Sequence, residues 1–331
     1  MAQPRHIVFF GASVTEQHIH NATGEVSGFV TYFEQHLAEG LGVRVSRVSA
    51  GSSDLTDAAM VYVEEVIALK PDICFLDWAT PALTSCDPRF IHQIYFRLMQ
   101  HDILPVTLIF PRRDRAQRDL PITREMSGLS QAYDLPFFDA TPLLKKYGTD
   151  VVLRDVVHTT AEGARIYAEA VAALIPRLPS RLRFAFASPV PFVVTELVSE
   201  VPPPDTFRKM IVTNLAKDDR PLEFTMVMQQ RVGPFSPILD VRSFGPTGGT
   251  ELPPFPLWDV WCHRERQTTK KIMHWHKGPF HRIEFNISQT DPNYASSPEA
   301  EPVEFANRRI RQRGKLYLIA DRPQTCSVSY A

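Results

Sequence analysis

The stretch that decides the fold is His6-Ile-Val-Phe-Phe-Gly-Ala-Ser13, close to the first residue of the chain. Its apolar run, residues 6–10, has the length of a buried strand, and Gly11 then breaks it. A strand that ends in a glycine turn presents the next polar side chain at the carboxyl edge of its sheet. Ser13 is therefore expected to stand exposed at that edge.

Residues 1–180 continue this pattern, because short apolar runs alternate with amphipathic segments. Strands are predicted at 43–48, 73–76, 104–110 and 137–138, and helices at 28–39, 55–69, 91–100, 123–133 and 161–175. Such alternation implies right-handed crossovers and a parallel sheet that is covered by helices on both faces. Ligands of these sheets bind beyond the carboxyl ends of the strands, so the residues that follow each strand are the candidates for a site.

A second cue lies before the last helix of this region, where the chain reads Asp155-Val-Val-His158. Thr159 and Glu162 have the spacing of a capping box for that helix, which predicts that the pair lies on a pinned loop. A carboxylate three residues from a histidine can orient the imidazole. The imidazole can then accept a proton from a nearby serine.

Gly11-Ala-Ser13 and Asp155-x-x-His158 together resemble the SGNH/GDSL hydrolase superfamily over residues 5–178, about half of the chain. The resemblance implies a flavodoxin-like three-layer sandwich with a parallel sheet, in which Ser, Gly, Asn and His act from four sequence blocks. It implies that Ser13 is the nucleophile, that His158 is the base and that Asp155 holds the imidazole. It also implies that no metal or organic cofactor takes part.

The second block departs from the family pattern. It follows the strand predicted at 43–48, and Ser53 occupies the position of the usual oxyanion glycine, with Gly51 as the alternative register. Only a backbone N–H is needed there, so Ser53 can serve if its backbone angles permit. The backbone N–H of Ser13 is expected to be a further donor.

The third block departs further, because Asp77-Trp78-Ala-Thr80 stands where the family reads Gly-x-Asn-Asp. Thr80 can donate a hydrogen bond to an oxyanion from its hydroxyl, whereas an ionised Asp77 would repel that oxyanion. Asp77 and Trp78 are candidate substrate-binding residues, and closing the strand is their alternative role. Loss of one side-chain donor typically costs about 10²–10³ in rate. A divergent hydrolase, an acyltransferase and an inactive relative therefore all stay open.

Residues 181–331 differ in texture from the first half. Short β-rich segments are predicted at 190–197, 208–214, 223–229, 257–261, 271–276, 281–287 and 315–319, separated by clusters of proline and glycine. This pattern predicts an all-β domain, a β-sandwich, after a boundary at 180/181. An accessory role in carbohydrate binding is one interpretation of it.

Weaker cues in both halves favour structural roles. His263, His274, His276 and His281 suggest zinc, Trp258, Trp261 and Trp275 suggest sugar stacking, and the arginines of 112–118 suggest an anionic substrate. None of these sets completes a local ligand pattern. Core or solvated positions are the favoured interpretation for each.

Composition narrows the classes of function. The 331 residues hold 36 Lys and Arg against 37 Asp and Glu, a net charge of −1, so no global attraction to nucleic acid or to an anionic membrane is expected. Four widely spaced cysteines form no disulfide framework, and neither a signal peptide nor a transmembrane run is predicted. The expected location is the cytoplasm, and a homo-oligomer stays open.

The function expected from these features is hydrolysis of an ester through an acyl-enzyme on Ser13. The substrate is expected to be a small molecule or a carbohydrate that carries an acetyl or short acyl group. This substrate class follows from the resemblance and the appended β domain rather than from particular residues. Acyl transfer to a sugar hydroxyl and a non-catalytic glycan-binding or scaffold role are the alternatives.

Overall fold

In the computed structural model the chain forms two compact units, residues 1–191 and residues 192–331. The structure describes residues 5–19, 24–51, 53–81, 87–116, 119–179, 190–202, 207–216, 219–232, 238–257, 266–288 and 314–331. The boundary predicted at 180/181 lies outside the described residues and stays a prediction.

The first unit is built on a five-stranded parallel sheet. Its strands are β1 (Arg5–Gly11), β2 (Val43–Ser49), β3 (Ile73–Asp77), β4 (Leu104–Ile109) and β5 (Phe137–Asp139). They lie in the order β2-β1-β3-β4-β5, which is the flavodoxin-like order. The chain reverses its direction of winding between β1 and β3, and ligands of such sheets bind at that point.

Helices cover both faces of this sheet. They are α1 (Ser13–Glu16), α2 (Phe29–His36), α3 (Ala38–Leu41), α4 (Met60–Ala68), α5 (Pro88–Met99), α6 (Pro121–Ala132), α7 (Thr141–Tyr147), α8 (Thr149–Val152) and α9 (Ala161–Ala172). A π-helical turn at Leu55–Ala59 leads into α4. The periodicity that predicts one helix over 55–69 thus corresponds to a π turn followed by an α-helix.

Side chains that alternate along the strands pack against the helices on the two faces of the sheet. Phe9 packs against Phe29 and Phe33 of α2, with ring centroids 5.5 and 5.4 Å apart. Thr107 points to the opposite face, where its hydroxyl contacts Tyr95 of α5 and bonds to Ser130 of α6 at 2.7 Å. The predicted three-layer sandwich is confirmed.

The second unit is all-β, as predicted. Its strands are β6 (Val193–Val201), β7 (Lys209–Asn214), β8 (Leu222–Val232), β9 (Ile238–Gly245), β10 (Gly248–Pro256), β11 (Arg266–Lys271), β12 (His276–Gly278), β13 (Arg282–Ile287), β14 (Gly314–Ala320) and β15 (Cys326–Tyr330). One antiparallel sheet has the order β10-β9-β13-β7-β15, and the other has β11-β8-β14-β6 with β12 paired to β8. One apolar cluster, which includes Met210, Phe224, Phe285 and Leu318, forms the core.

The structure differs from the predicted elements at several places in this unit. The strand predicted at 271–276 is wrong, because Lys271 ends β11, His276 begins β12, and residues 272–275 are not in a strand. Most of β11 lies outside any predicted strand. The β9–β10 hairpin and β15 are strands that the sequence pattern does not predict. The predicted strand at 257–261 lies outside the described residues except for Leu257, which is buried. None of the described helices has the length and apolar character needed to cross a membrane.

Candidate active site

Three strand ends meet where the winding of the sheet reverses. Gly11 ends β1 and lies opposite Ser49 of β2 on one side and Asp77 of β3 on the other. The backbone N–H of Ala12 donates to the carbonyl oxygen of Asp77 at 3.2 Å. Ser13 then opens α1 at this edge of the sheet, as predicted from the sequence, but it is half-buried rather than exposed.

Glycine at position 11 is required by close packing. A Cβ on Gly11 would lie 2.8 Å from both the Cβ and the carbonyl oxygen of Asp77, and it would also overlap the hydroxyl oxygen of Thr15. The two strand ends could not then approach each other as they do. The glycine of the first motif therefore sets the position of the turn that carries Ser13.

Asp155 and His158 form a pair on a short surface loop. Nδ1 of the His158 ring lies 3.0 and 2.9 Å from the two carboxylate oxygens of Asp155. The same carboxylate accepts the backbone N–H groups of Val157 at 3.0 Å and His158 at 2.9 Å. Asp155 thus fixes the backbone of the loop as well as the orientation of the ring.

These contacts set the charge of Asp155. Partial burial raises the pKa of its carboxyl, but the hydrogen bonds from the His158 ring and from the backbone N–H groups of His158 and Val157 outweigh that effect. The net pKa lies well below its ordinary value. Asp155 is therefore an anion at neutral pH.

The loop is held at both ends by backbone contacts. Arg154 N–H donates to the carbonyl of His158 at 2.9 Å, and Arg113 N–H donates to the carbonyl of Val156 at 2.9 Å. The guanidinium of Arg113 also reaches the carbonyl of Leu153. The predicted pinned loop is present, although its capping residue is different.

The helix cap lies one residue later than the predicted capping box. The hydroxyl of Thr160 accepts the backbone N–H of Gly163 at 2.9 Å and caps α9. Thr159 is buried instead, and its hydroxyl donates to the carbonyl of Ser27 at 2.6 Å. Glu162 pairs with Arg165 on the surface of the helix. Thr159 is thus held on the buried side of the loop, and the half-buried Thr160 forms the cap.

Gln17 brings the two motifs together. It follows α1 directly, and its side-chain amide donates to the carbonyl of Thr159 at 2.9 Å while its amide oxygen accepts the Thr159 N–H at 3.2 Å. Ser13 and His158 are therefore on adjoining segments of one sheet edge. Among the described residues, the hydrogen bonds of the His158 ring go to Asp155, and none joins Nε2 to Ser13. Catalytic hydrogen bonds commonly tighten only when substrate binds.

The second-block candidates lie beside the turn of Ser13. A Cβ on Gly51 would overlap a carboxylate oxygen of Glu16, so the Glu16 side chain rests against this glycine. A carboxylate there disfavours an oxyanion, which makes Ser53 the better candidate of the two registers. Ser53 is buried and has no positive φ, since the described non-glycine residues with positive φ are Lys70, Asp102 and Asp134.

The third-block residues lie beneath the site rather than at its surface. Asp77 and Trp78 are fully buried, and the Trp78 ring packs edge-on against Phe10 with centroids 5.1 Å apart. The Thr80 hydroxyl donates to the Asp77 carboxylate. Asp77 and Trp78 therefore present no exposed surface for direct contact with a substrate. The Thr80 hydroxyl, which was expected to donate to an oxyanion, donates to Asp77 instead. The Asp77 carboxylate at the strand end points inward, because the hydroxyls of Thr15 and Thr80 donate hydrogen bonds to it there.

Three residues at this edge have contacts that the sequence interpretation did not predict. Thr15 donates to Asp77, Gln17 joins the two motifs, and Arg113 holds the loop that carries Asp155 and His158. Thr15 and Gln17 lie two and four residues after Ser13, so their proximity to the turn was readable from the spacing. Their partners were not, since they lie 62 and 142 positions away.

The weaker cues lead to separate places. His274 contacts Phe255, His276 contacts Phe224, and His281 pairs with Asp219 at 2.6 Å. Within the described ranges, no three His, Cys, Asp or Glu side chains are grouped to hold a metal. Arg112 bonds to Asp114 and to the carbonyl of Thr80 rather than extending into solvent. Trp258, Trp261 and His263 lie outside the described residues.

No protein-family model matches this sequence, and no curated protein matches it. A two-domain esterase active on acetylated mannans has a similar structure, with a TM-score of 0.60 at 9% identity over 97% of this chain and 92% of that one. Its form co-crystallised with mannopentaose gives 0.59 at 10% identity, over 95% and 91%. A GDSL-like lipase from Bacteroides thetaiotaomicron matches 54% of this chain and 92% of its own at 17% identity, with a TM-score of 0.40.

At these identities the likeness is one of fold. The α/β fold expected for the N-terminal half is confirmed by the strand order of its parallel sheet and by this likeness in fold. The two-domain esterase extends the likeness over an α/β unit followed by an all-β unit. Any reaction that this chain catalyses must therefore be inferred from its own residues.

Proposed function

We propose that this protein is a serine-dependent carboxylic ester hydrolase that removes acetyl or short acyl groups from a carbohydrate. The observation that carries the proposal is the Asp155–His158 pair, held on a loop that Gln17 joins to the helix opened by Ser13. A carboxylate, an imidazole and a hydroxyl in this order are the components of acyl transfer through a covalent intermediate.

In the acylation step, Ser13 Oγ attacks the acyl carbonyl carbon while His158 Nε2 accepts the hydroxyl proton. Asp155 accepts a hydrogen bond from Nδ1–H and stabilises the imidazolium that forms. Backbone N–H groups of Ser13 and Ser53 are the proposed donors to the tetrahedral oxyanion. When the intermediate collapses, the bond to the alcohol oxygen breaks and His158 returns the proton to the departing alkoxide.

Deacylation repeats the same proton transfers with water. His158 takes a proton from water as its oxygen attacks the acyl-enzyme, and the proton passes to Ser13 Oγ when the ester bond breaks. The products are a carboxylic acid and the free sugar hydroxyl. Ser13, His158 and Asp155 return to their starting protonation states.

Two features support a carbohydrate as the alcohol part of the substrate. The structurally similar two-domain esterase is active on acetylated mannans and was co-crystallised with mannopentaose. This chain also has an all-β unit after its α/β unit, in the same order along the chain. The acyl group and the sugar are accordingly best sought first among acetylated manno-oligosaccharides.

The direct test compares wild type with Ser13→Ala and His158→Ala. We expect hydrolysis of p-nitrophenyl acetate and release of acetate from acetylated mannan or xylan oligosaccharides by the wild type. Both substitutions should reduce turnover to background. Equal rates for wild type and Ser13→Ala would contradict the proposal and would favour a non-catalytic, glycan-binding or scaffold role.

The same assay separates hydrolysis from acyl transfer. A free manno-oligosaccharide is added to the p-nitrophenyl acetate reaction, and acetylated sugar is measured by mass spectrometry alongside free acetate. For a hydrolase, acetate accounts for the released nitrophenol. Acetylated sugar as the main product would assign an acyltransferase that uses the same serine.

A further inference from the structure

A buried acidic side chain lies directly below the turn of Ser13. Asp77 ends β3, and one carboxylate oxygen accepts the hydroxyl of Thr15 at 3.0 Å while the other accepts the hydroxyl of Thr80. Thr15 belongs to α1, the helix that Ser13 opens, and Thr80 belongs to the loop that follows β3. One carboxylate therefore joins the two segments that border the sheet edge between β1 and β3.

The main chain of Asp77 adds to this connection. Its carbonyl oxygen accepts the N–H of Ala12, the residue before Ser13, at 3.2 Å. The loop on the other side is held in turn, because the guanidinium of Arg112 donates to the carbonyl oxygen of Thr80 at 2.9 Å. The nucleophile turn, β3 and the segment after β4 are thus linked through consecutive hydrogen bonds.

We propose that Asp77 is a positioning residue, whose carboxylate fixes the Ser13 turn against the Thr80 loop and so sets the geometry of the nucleophile. This inference rests on the proposed role of Ser13. Asp77 itself is buried, so the proposed role requires no contact between Asp77 and the substrate. It acts through Thr15, which lies two residues after Ser13 on the same helical turn.

Stability alone does not account for a carboxylate at this position. Asp77 is fully buried, and its side-chain hydrogen bonds come from the neutral hydroxyls of Thr15 and Thr80. Burial raises the pKa of this carboxyl to about 7, and the hydrogen bonds from Thr80 and Thr15 offset that rise only in part. An amide or an apolar side chain of similar shape would fold at lower cost. A group that is retained against such a cost is a candidate for function.

The charged and titratable groups around Asp77 do not neutralise it. Arg112 reaches the backbone of Thr80 and pairs with Asp114. Tyr167 of α9 is buried, and desolvation followed by the nearby Asp77 and Asp139 raises the pKa of its phenol. The carboxylate is therefore stabilised directly by neutral hydroxyl donors. Removal of the carboxylate should first alter the positions of Thr15 and Thr80.

The test uses the full chain with four variants: Asp77→Asn, Thr15→Val, Thr15→Ser and Thr107→Val. Asp77→Asn keeps the shape but supplies only one acceptor oxygen for two hydroxyl donors. We expect kcat for p-nitrophenyl acetate at pH 8 to fall roughly tenfold to a hundredfold in Asp77→Asn and Thr15→Val, with KM changed by less than about twofold. Thr15→Ser keeps the hydroxyl and should restore most of the activity.

Thermal stability gives the readout that separates positioning from structural support. Asp77→Asn removes a buried charge, so its melting temperature at pH 8 should rise while its kcat falls. Thr107→Val is the matched control, because it removes a buried hydroxyl network with Tyr95 and Ser130 on the other side of the sheet. It should lower the melting temperature and leave kcat unchanged.

Unchanged kcat in Asp77→Asn or Thr15→Val would overturn the inference, and so would equal losses in Thr15→Val and Thr15→Ser. Failure of the proposed function has a different signature: wild type and Ser13→Ala would then show the same background rate. In that event crystal structures of wild type and Thr15→Val at pH 8 decide the question. A displaced Ser13 turn in the variant supports the positioning role, and a superimposable turn overturns it.

Discussion

Two regions at the carboxyl edge of the sheet each carry an aspartate, and the two aspartates differ in almost every physical respect. Asp155 lies on the surface loop, paired with His158 and with backbone N–H groups, and its pKa is lowered. Asp77 lies inside, between two hydroxyls, and burial raises its pKa to about 7. The surroundings rather than the residue type set the pKa of each carboxyl, and with it the role we propose for each.

The largest effect should come from removing the base that the surface carboxylate serves. We expect His158→Ala to lower kcat by roughly 10⁴-fold, since the proposed acceptor of the Ser13 proton is then removed. The matched control is His101→Ala, because His101 is exposed and precedes β4 at the opposite end of the sheet. Comparable losses in both variants would show that the effect is not specific to the Asp155 loop.

The next effect isolates the surface carboxylate itself. Asp155→Asn should lower kcat by roughly 10²-fold, because the ring of His158 loses the anion that fixes its orientation and stabilises its charge. Steady-state kinetics of Asp155→Asn beside Glu169→Gln, an exposed partner of Arg165 on α9, measure the difference. The comparison of the two aspartates fails if Asp155→Asn keeps full activity.

A third effect concerns the interior region, where β1 and β3 touch. Gly11→Ala should destabilise the fold by about 1–3 kcal/mol, because the new Cβ would overlap Thr15 and approach the Asp77 carbonyl. Gly40→Ala is the control, since nothing lies within 4 Å of its Cβ position in α3, and a gain of about 0.5–1 kcal/mol is expected there. Urea unfolding measures both; equal stability of Gly11→Ala and wild type would refute the close packing.

The smallest effect is the pH dependence that the two carboxylates impose with opposite signs. The raised pKa of Asp77 means that its protonated form favours folding, so its contribution declines as pH rises from about 4 through about 7. The lowered pKa of Asp155 gives a contribution that is present at neutral pH and lost in acid. Unfolding free energies of wild type and Asp77→Asn between pH 4.5 and 8.5 should therefore diverge in favour of the variant as pH rises. Parallel curves would mean that Asp77 does not titrate in this range.

Much of the first unit could be predicted from the sequence because its signals are local. Apolar runs bounded by Gly11 and by prolines gave the strands and helices, and the spacing of Asp155 and His158 gave the loop. The role of Asp77 could not be predicted, since it depends on hydroxyls 62 positions earlier and three positions later that converge only in the folded sheet. The sequence interpretation placed the charge of Asp77 near an oxyanion, whereas the structure has a buried carboxylate that accepts hydrogen bonds from two hydroxyls.

The second unit shows the converse limit. β10 contains Pro253, Pro254 and Pro256, which argue against a strand, yet it lies at the edge of its sheet, where proline is tolerated. β9 does alternate, with Leu239, Val241 and Ser243 directed inward, and this signal could have located it. An edge strand that lacks alternation becomes visible only through its pairing partner.

Labelling with a fluorophosphonate probe is the direct test of Ser13 as a nucleophile, because only a serine activated by a neighbouring base reacts with the probe readily. We expect one label per chain, on the peptide that contains Ser13, with no label in Ser13→Ala and much slower labelling in His158→Ala. A wild-type protein that stays unlabelled, or that is labelled at another serine, would contradict acyl chemistry at this edge of the sheet.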